Sequence, residues 1–127
     1  MSDLVRVAVD AMGGDYAPVE PVKGAVEAVN ADERVKVQLV GQVDVIEKEL
    51  QKYTYPKERV EIVPATEIIE TGEPPVNAIR HKKDSSIVVG MKKVRYGEAD
   101  AFVSAGSSGA ILVGGQVIVG RIKGIER

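Results

Sequence analysis

VRVAVD, residues Val5–Asp10, runs straight into AMGGD, residues Ala11–Asp15. The six residues are mostly β-branched or apolar, which predicts a buried strand, and the glycine pair behind them predicts a loop. From Val19 to Ala31 the apolar positions are Val19, Val22, Ala25, Val26 and Val29. Their spacing of three and four marks one face of a helix. Pro21 falls near the helix start, where proline is tolerated. Strand, loop and helix in that order form the opening unit of a parallel sheet.

Outward from this unit the pattern repeats. Val35–Val40 (VKVQLV) predicts a second strand closed by Gly41, and Val43, Ile46 and Leu50 mark a short helix over about Val43–Lys52. Pro56 breaks the chain before a short strand at Val60–Val63, which ends at Pro64. Thr66–Ala78 holds Gly72, Pro74 and Pro75 with no clear period, and is expected as a long loop of the kind that often carries function. Asp84, Ser85 or Ser86 would cap a helix reaching about Tyr96, with Ile87, Met91 and Val94 inward and Gly97 as its stop. Ala101–Ser104 reads as a fourth strand, and a glycine-rich turn leads into a helix over about Ser107–Val119.

The order predicts an α/β fold, a mostly parallel sheet flanked by helices in three layers. The last helix is apolar nearly all round (Ala110, Ile111, Leu112, Val113, Val117, Ile118, Val119) and needs neighbours on several sides. Residues 1–127 are therefore expected to be one part of a single α/β domain, with further sheet or a partner chain as cover.

Composition narrows the function. The chain has 127 residues, 44% apolar and 28% charged, with a net charge of -2. That is an ordinary globular balance with no global basic field, and it argues against a nucleic-acid partner. One Phe, four Tyr and no Trp leave little to stack bases on. The absence of cysteine excludes a disulfide framework, a zinc–thiolate site and a cysteine nucleophile, and fits a reducing cytoplasm. No secretory signal is visible at the start. Gly109–Gly120, the longest apolar run, falls short of the roughly 20 residues that span a bilayer.

Two glycine loops could carry chemistry. Asp10, Gly13, Gly14 and Asp15 follow the first strand; glycines there let backbone N–H groups approach an anion, and the aspartates could position a hydroxyl, a cation or the loop itself. A tight turn with aspartates bonded to local backbone accounts for the same residues. Ser104, Gly106, Ser107, Ser108 and Gly109 follow a strand and open a helix, an arrangement whose free N–H groups and dipole favour phosphate or carboxylate. It is neither a Walker A loop nor a dinucleotide fingerprint. The alternative without a ligand is serine N-capping with glycines for close helix packing. The basic residues Arg80, His81, Lys82, Lys83, Lys92, Lys93 and Arg95 could grip phosphate or an acidic protein, or form a solvated helix face. His81 stands alone, Glu67, Glu70 and Glu73 show no ligand spacing, and no metal site or Ser–His–Asp set can be argued.

Four separated stretches resemble one family. VAVDAMGGDYAP (Val7–Pro18), KKDSSIVVGMKKV (Lys82–Val94), DAFVSAGSSGA (Asp100–Ala110) and GRIKGIER (Gly120–Arg127) are similar, in order, to the acyl-carrier-protein-dependent phosphate acyltransferases of phospholipid synthesis. The likeness covers essentially the whole chain. Ser107-Ser108 stands where the family often has Asn-Thr, and both pairs offer polar donors. Family members are more than twice as long, so the likeness is to an N-terminal portion.

The resemblance implies a fold similar to the isocitrate and isopropylmalate dehydrogenases and to phosphotransacetylase. It implies a homodimer, cytoplasmic or loosely attached to the membrane, without a cofactor. It implies transfer of a fatty acyl group from acyl-acyl carrier protein to inorganic phosphate. On that reading the Ser104–Gly109 loop holds phosphate and the Asp10–Asp15 loop shapes the same crevice. Lys82, Lys83 and Lys92 would neutralise phosphate or dock the acidic carrier protein. Two other readings remain: a nicotinamide-linked dehydrogenase of related fold, and an inert fragment that binds phosphate or self-associates.

Overall fold

Successive side chains of a strand face opposite sides of its sheet: Val5, Val7 and Val9 share one face with Val35, Val37 and Leu39, and Ala8 and Val40 share the other with Arg6, Asp10, Lys36 and Gln38. In the computed structural model, which describes residues 4–120, helices pack on both faces. The elements are β1 (Val5–Asp10), α1 (Val19–Ala31), β2 (Val35–Gly41), α2 (Val43–Leu50), β3 (Val60–Pro64), α3 (Pro75–His81), α4 (Ser86–Arg95), β4 (Ala101–Val103) and α5 (Ser108–Gly114). A 3-10 turn at Lys57–Arg59 precedes β3, and a π-helical turn at Gly115–Val119 prolongs α5.

The sheet runs β3-β2-β1-β4, with every pairing parallel. Val5 pairs with Val35 and Asp10 with Val40 on one side of β1; Val7 pairs with Ala101 and Val9 with Val103 on the other. On one face Val37 and Leu39 pack under Val22, Val26 and Val29 of α1 and Ile46 and Leu50 of α2. On the other, Ala8, Val40 and Val63 lie under Val89 and Val94 of α4. A further cluster ties α3, α4 and α5 together through Ala78, Ile79, Ile87, Met91 and Ala110. The result is the expected α/β arrangement, a parallel sheet between helical layers.

Three details differ from the sequence reading, and one settles an alternative it left open. The expected loop over Thr66–Ala78 gives way at Pro75 to α3. Seven residues are too few to show a period, and the helix holds because Ala78 and Ile79 are buried against its neighbours. Of the three possible caps of α4, Ser85 is the one used: its Oγ accepts from the Val88 N–H at 3.2 Å. β4 stops at Val103, leaving Ser104 in the loop beyond it. The long last helix changes pitch, the Gly120 N–H donating to the Gly115 carbonyl five residues back at 2.9 Å. Its apolar surface is only partly covered, with Leu112 63% and Val117 68% exposed. Of GRIKGIER, only Gly120 falls within the described residues.

Arg59 locks the turn into β3 to the turn into β2. Its guanidinium donates to the carbonyls of Asp32 (2.9 Å), Val35 (2.8 Å) and Val29 (2.8 Å). No other cation can reach three carbonyls from one planar group. Arg59→Met keeps the apolar stem and strands three part-buried carbonyls; we expect a loss of about 2–3 kcal/mol in urea unfolding with an unchanged m-value.

Candidate functional site

From β1 the chain steps to β2 and β3 on one side, then crosses to place β4 on the other. The loops leaving β1 and β4 therefore diverge at their carboxyl ends, which opens a crevice where the strand order reverses. The β1 loop carries Asp10 to Asp15 and the β4 loop carries Ser104 to Ser107.

The two loops are stapled together. Asp10 is 2% exposed. Its Oδ2 accepts from the Ser104 hydroxyl at 2.7 Å, and its Oδ1 accepts from the Met12 N–H at 3.0 Å. Ser104 Oγ in turn accepts from the Gly106 N–H at 2.9 Å. This knot leaves no room for a side chain at Gly13, where a Cβ would stand 2.5 Å from Asp10 Oδ2 and 2.9 Å from Ser104 Oγ. Gly14 takes φ +95°, a conformation L side chains rarely adopt. Gly106 closes against the same atoms.

The helix behind the β4 loop is capped from within. Ser107 is buried and its Oγ accepts from the Ala110 N–H at 3.3 Å. Ser108 is exposed, and Gly109 lies against Pro75 at the start of α3. The crevice thus unites Asp10, Gly13, Gly14, Asp15, Ser104 and Gly106, with Ser107 and Ser108 following at the start of α5. The side chains of Asp10, Ser104 and Ser107 bond to the protein itself.

Two hollows meet at the Asp10–Asp15 loop. One, of about 570 Å³, is an almost wholly apolar groove between α1 and the sheet, lined by Val7, Val9, Val37, Val103, Gly24 and Ala28 among others. The other is small, about 80 Å³, and more polar; it lies between Gly13–Asp15, Gly106, the Ile68–Thr71 segment and the start of α4 at Ser86 and Ile87. Sequence reasoning saw Ser86 only as a possible cap. Its proximity to Gly13 depends on how α4 crosses the sheet, which no local pattern encodes.

The lysines sit elsewhere. Lys82 is held internally, its Nζ donating to the Ile68 carbonyl at 2.7 Å and to Glu73 Oε2 at 2.6 Å. Lys83 and Lys92 join Arg80 around a separate hollow of about 360 Å³ floored by Val76, Ile79, Val88 and Val117. None of the three lines either hollow at the crevice.

Two carboxylates hold the loop that walls the small hollow. The Lys82 ammonium and the Glu70 N–H keep the Glu73 carboxyl below the usual glutamate range. The Thr66 hydroxyl, and then its N–H, keep the Asp84 carboxyl below the usual aspartate range. Among the described residues no three His, Cys, Asp or Glu side chains gather as a metal site, and no helix is long and apolar enough to cross a membrane.

These features define a parallel α/β protein with a glycine-lined crevice at its strand reversal, a place where such folds take small ligands. The chain belongs to the fatty acid synthesis protein family, whose model matches residues 5–127. It is 53% identical over 124 residues to the phosphate acyltransferase of Alkaliphilus oremlandii, covering 97% of this chain and 36% of that protein. It is 50% identical over 121 residues to the phosphate acyltransferase of Clostridium kluyveri (95% and 36%) and 50% identical over 123 residues to that of Clostridium beijerinckii (97% and 37%). The chain thus spans little more than a third of the length of these relatives.

Two outcomes are expected. Ser104→Ala leaves one buried carboxyl oxygen and the Gly106 N–H without their partner, and should cost about 1–3 kcal/mol in chemical denaturation. The depressed carboxyls of Glu73 and Asp84 stabilise the folded loop fully above the unfolded carboxyl range near pH 4, and that stability is lost as pH falls through their lower folded values. Hydrogen exchange should show residues 66–73 loosening between roughly pH 5 and pH 2, and Glu73→Gln should flatten that dependence.

Proposed function

We propose that this chain builds the phosphate side of an acyl-transfer crevice in a larger α/β domain, whose reaction moves a fatty acyl group from acyl-acyl carrier protein to inorganic phosphate. The observation that carries the reading is the meeting of two glycine loops at the strand reversal, in a chain about half identical to proteins named phosphate acyltransferase.

The chemistry asks little of covalent machinery. Phosphate is a nucleophile near neutrality, its second ionisation falling close to the roughly 6 of a phosphoester. A phosphate oxygen forms a bond to the thioester carbon, the carbonyl oxygen takes up negative charge, and the carbon–sulfur bond breaks. The carrier-protein thiol leaves with a proton, and acyl phosphate remains. The protein must hold phosphate beside the thioester and meet the developing oxyanion with fixed donors. No cysteine nucleophile or cofactor enters the balance. Asp10 and Ser104 shape the crevice, Ser107 holds the start of α5, and the backbone of the two glycine loops faces the ligand. Arg80, Lys83 and Lys92 offer the acidic carrier protein a basic surface away from the chemistry. The working enzyme is proposed as a homodimer, cytoplasmic or loosely attached to a membrane.

A chimera tests this. Residues 1–127 replace the matching portion of the Alkaliphilus oremlandii enzyme, and acyl phosphate is measured from acyl-acyl carrier protein and labelled phosphate. We expect product from the chimera and at least a hundredfold loss with Gly13→Val, which drives a side chain into the Asp10–Ser104 knot. A cooperatively folded chimera without product would sink the reading.

A further inference from the structure

The small hollow beside the glycine loop contains a group that the crevice as described leaves unused. Ser86 is 2% exposed, yet its hydroxyl bonds to no other described residue, and it lines the hollow. Its neighbours at the start of α4 are already satisfied. The Ser85 hydroxyl caps the Val88 N–H, and the Ser86 N–H donates to the Glu67 carbonyl at 3.2 Å. The N–H of Ile87 has no carbonyl partner among the described residues and belongs to the same wall. The hydroxyl is therefore free to donate to whatever occupies the hollow. Here the hydroxyl stands at the positive end of a ten-residue helix, opposite Gly13 and Gly14.

The volume selects the ligand's size. About 80 Å³ exceeds what one water needs, and is far below what a nucleotide or an acyl chain fills. The charge pattern selects its protonation. Helix start, amide and hydroxyl call for an anion, whereas the carboxylates of Asp10, already bonded to Ser104 and Met12, and of Asp15 and Glu70 repel one. Monohydrogen phosphate satisfies both demands, because its P–OH donates to a carboxylate while its other oxygens accept. Sulfate carries no proton near neutrality, so it accepts from the same donors but meets the carboxylates with repulsion alone.

We propose that this hollow is the inorganic-phosphate subsite, that Ser86 and the Ile87 N–H bind the ion, and that the Asp15 and Glu70 carboxylates select phosphate over sulfate. The assignment rests on the acyl-transfer reading for its purpose but not for its test. It moves the ion from the start of α5, where Ser107 is spent as a cap, to the start of α4.

The experiment is a titration of the 127-residue chain with sodium phosphate, and separately with sodium sulfate, at pH 7 and constant ionic strength, read by calorimetry and by amide NMR shifts. Saturable phosphate binding should move the amides of Gly14, Ile87 and Gly106, with sulfate binding at least tenfold weaker. Ser86→Ala should weaken phosphate about tenfold, one charge-assisted hydrogen bond's worth. Asp15→Asn with Glu70→Gln should narrow the preference over sulfate. The wild-type shift map decides the location even if a variant folds poorly. Shifts confined to Ser108–Ala110, unaltered affinity in a folded Ser86→Ala variant, or equal binding of sulfate would each overturn the proposal, as would no binding. In the chimera, Ser86→Ala should raise the KM for phosphate more than it lowers kcat. An active chimera indifferent to Ser86 would discard this subsite and keep the function; phosphate binding as mapped with an inactive chimera would do the reverse.

Discussion

The hydrogen bond from Ser104 to Asp10, 2.7 Å long and buried at its aspartate end, is the constraint on which the crevice depends. It joins groups 94 residues apart across the ends of two neighbouring strands. A carboxyl group removed from water must have its oxygens met, and here each accepts one donor, from Ser104 and from Met12. Meeting them forces the β1 loop to fold back over its own strand and draws Ser104 in behind it. That closeness is why residue 13 is glycine, and it leaves residue 106 little room to spare.

From this staple the rest of the site follows. Held together, the loops form a ridge with an apolar groove on the α1 side and a small polar hollow on the α4 side. The polar hollow is closed by a loop that two ion- and hydroxyl-bonded carboxyls fasten, Glu73 to Lys82 and Asp84 to Thr66. Its geometry is thus fixed by internal bonds before any ligand arrives, the condition under which donors stabilise charge most effectively. The groove is different in kind. Its lining is mostly valine, alanine and glycine, and it binds through area rather than direction.

The basic residues show how misleading nearness in sequence can be. Lys82 and Lys83 are adjacent, yet Lys82 turns inward to a carbonyl and Glu73, while Lys83 stays exposed beside Arg80 and Lys92. The reversal follows from α3 ending at His81, so that the two side chains leave the turn on opposite sides. One lysine is structural, and the other belongs to a surface that can meet an acidic partner.

The sequence by itself determined the strands, the first helices and the α/β class, because hydrophobic period and glycine punctuation are local signals. It also marked the two glycine loops, since tight approach leaves glycine as its only solution. It did not mark α3, whose seven residues show no period and which is held by contacts with α5. Nor could it separate Ser85 from Ser86, identical residues side by side, of which one caps a helix and the other faces a hollow. Only the tertiary structure decided that β4 pairs with β1 rather than β3, that Asp10 is buried against Ser104, and that the start of α4 faces Gly13. Those are relations between residues distant in sequence, set by which faces bury together, and no single stretch of the chain contains them.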